Sequence, residues 1–231
     1  MLKEKEITFL LPCLNEESTI VETIIMIKKY INRTSLNAEI LVVDNRCTDS
    51  SIRLAKENGA RIVKEEKKGY GNALIKGFKE SKGKYIIMGD CDTTYDFSNV
   101  DIFIEKLEEG YDLVIGNRYK GGIEKGAMSF LHKYIGVPIL SKYAKKKYKI
   151  NINDFHCGLR GINRKEINNF KFESEGMELA TEMIYCFAKN NKKIIEVPTV
   201  LKKCINNKRK SHLNTFKDGY RHLKFIYKSK M

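Results

Sequence analysis

The feature that most constrains the fold is a repeating order: a short apolar run, a polar or acidic motif where it ends, then a segment with helical spacing. Residues 6–11 read as a buried strand ended by Pro12, with Cys13, Leu14, Asn15 and Glu16 directly after it. Thr19 and Glu22 have the spacing of a capping box, and Ile20, Ile24, Ile27 and Ile31 form a helical stripe behind them. Residues 39–43 are a second strand closing on Asp44. Asp49 or Ser50 can cap the helix that follows, and Asn58-Gly59 stops it. Strands are predicted at 61–64, 84–88, 111–115 and near 193–197, with helices at 71–81, 100–109 and 129–147. This alternation implies an α/β layered domain with a mostly parallel central sheet flanked by helices.

In such sheets ligands bind beyond the carboxyl ends of the strands. Three chemical motifs fall there: Pro12 to Glu16 after strand one, Asp44-Asn45 after strand two, and Asp90-Cys91-Asp92 after strand four. If the backbone is extended at Asp90 and Asp92, both side chains face the same way and can converge on one hard cation. Mg²⁺ or Mn²⁺ bound by one or two carboxylates completes its shell with substrate phosphates and water. A lone D-x-D also caps helices; its place after a buried strand favours the metal. Asp44 suits a ribose or base donor, or an Asx turn. Lys67-Lys68-Gly69-Tyr70-Gly71 offers cations, glycines and a helix N-terminus to a diphosphate, although a glycine turn explains it equally well. No G-x-G-x-x-G follows strand one, which disfavours a dinucleotide-dependent dehydrogenase.

The six cysteines are scattered without a C-x-x-C pair, so they read as reduced thiols rather than a zinc site. Charge carries more information. The net value of +14 gathers in the second half, at 142–149 and 202–230, opposite the acidic motifs of the first half. That asymmetry suits an anionic partner: nucleotide, lipid phosphate or membrane surface. A nucleic-acid module is excluded for want of any RNP, KH, zinc or helix-turn-helix signature. The opening residues lead into an apolar run too short for a signal peptide or a span, which predicts a cytoplasmic protein.

The order PCLNEE, VVDN, KKGYGNA, MGDCDTTYDF, IGNRYKGG, DFHCGLRGI and SHLNTFKDGYRHLKFI resembles the family 2 glycosyltransferases over nearly the whole chain. It looks most similar to their polyprenyl-phosphate (dolichyl-phosphate) sugar synthase branch. The resemblance implies a GT-A fold, a divalent metal and one displacement that inverts the anomeric carbon. It further implies that Pro12, Leu14 and Glu16 border the nucleoside, with Asp44 nearby and Lys68, Gly71 and Asp90 toward the diphosphate. Asp90 and Asp92 would hold the metal. Arg118 and Asp154 match acceptor-side residues of the family, and Arg160, Arg209 and Lys210 are its further phosphate contacts. The sequence departs from the pattern at Asn45, where a second carboxylate is usual, and at His212, where a lysine is usual.

An alcohol acceptor must lose a proton as it attacks, and Asp154 would then be the base. A lipid monophosphate, with a second pKa near roughly 6, is already anionic and needs positioning instead. The expected reaction is therefore hexosyl transfer from a UDP-glucose or GDP-mannose type donor to a polyprenyl phosphate. The alternatives are transfer to a sugar hydroxyl in polysaccharide synthesis, or a sugar nucleotidyltransferase. The GT-A domain is expected over 1–213 and a basic amphipathic helix over 214–231. There Phe216, Tyr220, Leu223 and Tyr227 repeat at helical spacing among Lys217, Arg221, Lys224 and Lys228. Such a helix suits peripheral contact with the inner face of an anionic membrane, or packing on its own domain.

Overall fold

The computed structural model describes residues 6–206 and 215–230. In chain order the elements are β1 (Ile7–Cys13), α1 (Ile20–Thr34), β2 (Ala38–Asp44), α2 (Ser51–Glu57), β3 (Arg61–Lys64), α3 (Tyr70–Glu80), β4 (Tyr85–Met88), α4 (Asp101–Glu108), β5 (Leu113–Asn117) and α5 (Arg118–Gly121). A π-type turn (His132–Gly136) runs into α6 (Val137–Tyr148). After it come β6 (Arg160–Asn163), α7 (Arg164–Ile167), α8 (Leu179–Lys189), β7 (Ile194–Pro198) and α9 (Thr215–Lys228).

The strands form one sheet in the order β3-β2-β1-β4-β6-β5-β7. β1 to β4 are mutually parallel, as are β5 and β7. β6 runs antiparallel between β4 and β5. Strands β1, β2, β4 and β5 are almost continuously apolar and buried, as a sheet covered on both faces requires. α3 packs on β1 and β2, while α4 lies along β4, β5, β6 and β7. This is the expected GT-A α/β architecture.

Several local expectations are corrected. β1 does not stop at Pro12 but runs to Cys13. Pro12 lies past Leu10, the last residue paired with β4, so its missing N–H leaves no gap on that side. The capping box does not form: Thr19 turns its hydroxyl back to Glu16 Oε2 at 3.3 Å. β6 and α8 were not expected. β6 is only Arg-Gly-Ile-Asn, without the branched alternation that signals a strand; its neighbours on both sides impose it.

Candidate active site

The loops after β1 and β2 are stitched together. Asn15, held at φ 56°, accepts from the Thr48 amide at 2.7 Å through its side chain, while its own amide donates to Cys47 Sγ. The Glu16 amide donates to Ser51 Oγ at 2.7 Å, and the Glu16 side chain is buried. Asp44 sits half-buried at the end of β2, where its Oδ1 accepts from the Cys47 amide at 2.8 Å as in an Asx turn. Pro12 and Leu14, both partly exposed, border the same edge.

Asn45 is the residue whose role the sequence did not reveal. Its Nδ2 donates to the Lys67 carbonyl at 2.9 Å and its Oδ1 accepts from the Gly69 amide at 2.8 Å. An amide can do both; an ionised carboxylate can only accept. The departure from the family pattern is thus a latch that holds the 67–69 loop to the end of β2.

That loop does not present its helix end to a diphosphate. The amides of Gly71 and Asn72 donate to the Glu175 carbonyl at 3.0 and 3.3 Å, capping α3 from within the chain. A Cβ on Gly71 would collide with the backbone at Ser174 and Glu175. The diphosphate reading of Gly71 is corrected on this ground: its glycine is needed for chain packing. Lys68 stays exposed at the loop surface. The loop reaches the site instead through Tyr70, whose hydroxyl donates to Asp90 Oδ1 at 3.1 Å. Burial, then the neighbouring Asp90, pushes the Tyr70 phenol well above its usual range, so it remains a neutral donor.

The Asp90–Asp92 segment bends rather than running extended, so the alternation argument does not describe it. Asp90 is half-buried, and Gly158 packs so closely that a Cβ there would lie 2.9 Å from Asp90 Oδ2. Asp92 is buried, and its Oδ1 accepts from the Thr94 amide at 3.0 Å and the Thr94 hydroxyl at 2.5 Å. Cys91 ties this loop to the first one by donating its thiol to the Pro12 carbonyl at 3.1 Å. No cluster of three or more His, Cys, Asp or Glu suited to a metal occurs among the described residues. The donor set is two hard carboxylates, which fits Mg²⁺ or Mn²⁺ sharing its shell with phosphates and water, and does not fit zinc.

Arg118 and Asp154 form one unit. Arg118 Nε lies 2.7 Å from Asp154 Oδ2 and Nη2 lies 2.7 Å from Oδ1. The Arg118 amide also donates to Oδ2 at 3.1 Å, and the His156 amide to Oδ1 at 3.3 Å. Four donors fill the roughly four lone-pair sites of the carboxylate. The Asp154 side chain is wholly buried, and Glu196 fixes its backbone by accepting from the Asp154 amide at 2.7 Å. A base role for Asp154 is therefore corrected: nothing on it faces a substrate proton. The pair leaves Arg118 Nη1 for another partner.

Arg160 is likewise corrected as an acceptor contact. It is fully buried in β6, and its guanidinium donates to the carbonyls of Cys157, Ala180 and Phe155 at 3.0, 2.8 and 2.8 Å. It braces the loop that carries Asp154. Arg209 and Lys210 lie outside the described residues.

A family model for "Glycosyl transferase family 2" matches residues 8–170. The chain belongs to glycosyl transferase family 2. A family member from Haloferax volcanii, the low-salt glycan biosynthesis hexosyltransferase Agl6, is 33% identical over 95% of this chain and 52% of its own. A dolichyl-phosphate hexose transferase from the same organism is 27% identical over 80% of this chain and 77% of its own. The dolichol-phosphate mannosyltransferase of Pyrococcus furiosus is 26% identical over 84% and 55%. The chain thus spans about half the length of two of these relatives. Among solved folds, glucosyl-3-phosphoglycerate synthase of Mycobacterium tuberculosis, in complex with Mn²⁺ and UDP-glucose, superposes with a TM-score of 0.75 at 21% identity. The match covers 96% of this chain and 78% of that one. At that identity the likeness establishes the family's GT-A fold.

Proposed function

We propose that this chain transfers a hexosyl group from a nucleoside-diphosphate sugar, of UDP-glucose or GDP-mannose type, to the phosphate of a polyprenyl-phosphate lipid, with inversion. The observation that carries the acceptor class is the Arg118–Asp154 unit. The acceptor-side carboxylate is saturated by its own chain, so a hydroxyl acceptor would lack that base, while a phosphate needs none. The names of the two dolichyl-phosphate relatives support the same class.

In the proposed step a phosphate oxygen attacks the anomeric carbon, the bond from that carbon to the diphosphate breaks, and the nucleoside diphosphate leaves with the electron pair. Asp90 and Asp92 would hold Mg²⁺ or Mn²⁺, which supplies charge neutralisation for the departing diphosphate. Tyr70 and Thr94 fix those carboxylates. Pro12, Leu14, Glu16 and Asp44 border the nucleoside, and Lys68 is a cation within reach of the donor side. Asp154 orients Arg118 so that Nη1 meets the acceptor phosphate; Arg209 and Lys210 join it on the sequence resemblance alone.

A lipid acceptor calls for a membrane-facing surface. Phe130, Tyr134 and Ile139 are 73%, 58% and 62% exposed, and Phe216, Tyr220 and Tyr227 are 82%, 65% and 75% exposed. They lie on or beside α6 and α9, which touch each other, and exposed Lys142, Lys146, Lys224 and Lys228 accompany them. Aromatic residues rimmed by lysines suit the interface of an anionic membrane. The proposed location is peripheral, on the cytoplasmic face. No helix among the described residues is long and apolar enough to cross the bilayer.

The test is nucleotide release over a panel of sugar nucleotides, with Mg²⁺ or Mn²⁺, with and without polyprenyl phosphate. Release should require metal and rise with the lipid, and Asp92→Asn should abolish it. Full turnover in Asp92→Asn, or transfer only to sugar hydroxyls, overturns the reading.

A further inference from the structure

Among the buried titratable side chains that the proposed reaction does not use is His156. His156 lies between Asp154 and β6, in the loop whose next turn, at Gly158, packs on Asp90. The residue as a whole is half-buried, yet both ring nitrogens are enclosed and neither has a hydrogen-bond partner. A neutral imidazole carries one donor and one acceptor, and a buried polar group left unpaired is costly enough to demand a reason.

Its neighbours supply one. The His156 ring meets His222 of α9 edge to face, with centroids 4.4 Å apart, but His222 spends its Nδ1 on Thr181 Oγ1 at 2.8 Å. Burial holds the His156 imidazole neutral, well below its usual range, and His222, Arg118, Arg160 and His132 reinforce this. These four basic groups come from α9, the start of α5, β6 and the π-type turn. Asp154, the nearby carboxylate, is already taken up by Arg118 and by the His156 amide. Two guanidiniums beside an enclosed, unpaired imidazole make a place for an anion.

We infer that a ring N–H of His156 donates a hydrogen bond to the phosphate of the acceptor, an organic phosphomonoester, beside Nη1 of Arg118. The inference rests on the phosphate-acceptor reading and names a residue for it. It puts that phosphate between the Arg118–Asp154 unit and the loop that packs on Asp90. Bound there, the anion satisfies the ring's donor and offsets the charge of the Arg118 and Arg160 guanidiniums.

The chain has four histidines, so their imidazole nitrogens can be followed individually in ¹H–¹⁵N spectra, with His156→Phe assigning the resonance in question. Titration of the full chain with inorganic phosphate, and separately with a short-chain prenyl monophosphate, should shift the His156 nitrogens saturably. Nitrogens that stay unmoved at saturating prenyl monophosphate overturn the inference, whether or not the variant folds. In kinetics, His156→Phe keeps the ring's bulk and should raise the acceptor KM about tenfold with the donor KM unchanged. His156→Gln, which keeps a donor, should recover part of the loss; an unchanged acceptor KM in His156→Phe refutes the role. If lipid transfer fails but the nitrogens still respond to phosphate, the lipid reading falls and the anion site stands.

Discussion

Replacing Asp154 by alanine separates an anchoring role from a catalytic one. The Asp154 side chain is 0% exposed and that of Arg118 is 9% exposed, so removal of the carboxylate strands a guanidinium in a low-dielectric site. It also orphans the amides of Arg118 and His156. Breaking a buried pair from one side typically costs about 3–5 kcal/mol. In a chain of 150–250 residues each kcal/mol moves Tm by about 2–4 °C, so Asp154→Ala should lower Tm by roughly 6–20 °C. Thermal unfolding followed by circular dichroism reads this directly. The double variant Asp154→Ala/Arg118→Met removes both charges and should recover much of the loss, a positive coupling in a double-mutant cycle. Were Asp154 a general base, the single variant would keep its stability within about 1 kcal/mol of wild type, about 2–4 °C in Tm, while kcat collapsed. That result would refute the anchor argument and restore the hydroxyl acceptor.

Acid should loosen the attachment of α9. Burial, followed by the charges of Arg160 and Arg221, depresses the His222 imidazole from 6.5 to about 4 in the folded state. Between these values the unfolded chain binds the proton and the folded chain does not, so stability is full above about 6.5 and falls as pH drops toward about 4. The loss is on the order of 3 kcal/mol. His222→Phe should flatten that slope in denaturant titrations across the window; an unchanged slope would dismiss His222 as its source. For the membrane surface, each lysine near an anionic bilayer contributes about 1 kcal/mol. Lys224→Ala should therefore cut partitioning onto phosphatidylserine-containing vesicles about fivefold, and equal binding to neutral and anionic vesicles would exclude the electrostatic contact.

The positions of the three motifs proposed for the donor half, after β1, β2 and β4, were legible because each follows a strand that announces itself. β1, β2 and β4 are runs of branched and aromatic residues, and the sheet's geometry then fixes where their ends fall. The acceptor half was less legible. Arg160 sits in a motif that suggested phosphate binding, but it lies on a strand whose sequence does not read as one, and burial turns its donors to carbonyls. Asp154 looked like a base because a local sequence cannot disclose that Arg118, 36 positions away, occupies both of its oxygens. Gly71 misled for the same reason: its constraint comes from Ser174 and Glu175, on a distant segment. Asn45 was the exception in which the signal existed, since an amide where a carboxylate is usual asks for a partner that needs both a donor and an acceptor.

The two halves also differ in what holds them. On the donor side, hydrogen bonds cross between loops at short range: Asn15 to Thr48, Glu16 to Ser51, Cys91 to Pro12, Asn45 to the 67–69 loop and Tyr70 to Asp90. Loops tied in this way are fixed without a ligand, which suits the proposed control of charge on a departing diphosphate. The proposed acceptor side instead sets the Arg118 and Arg160 guanidiniums around one carboxylate that Arg118 already pairs with. Two guanidiniums against one carboxylate leave positive charge that an anionic acceptor would offset on binding. A neutral hydroxyl acceptor would bring no such compensation, so under the proposed reading these electrostatics favour a phosphate over a sugar alcohol.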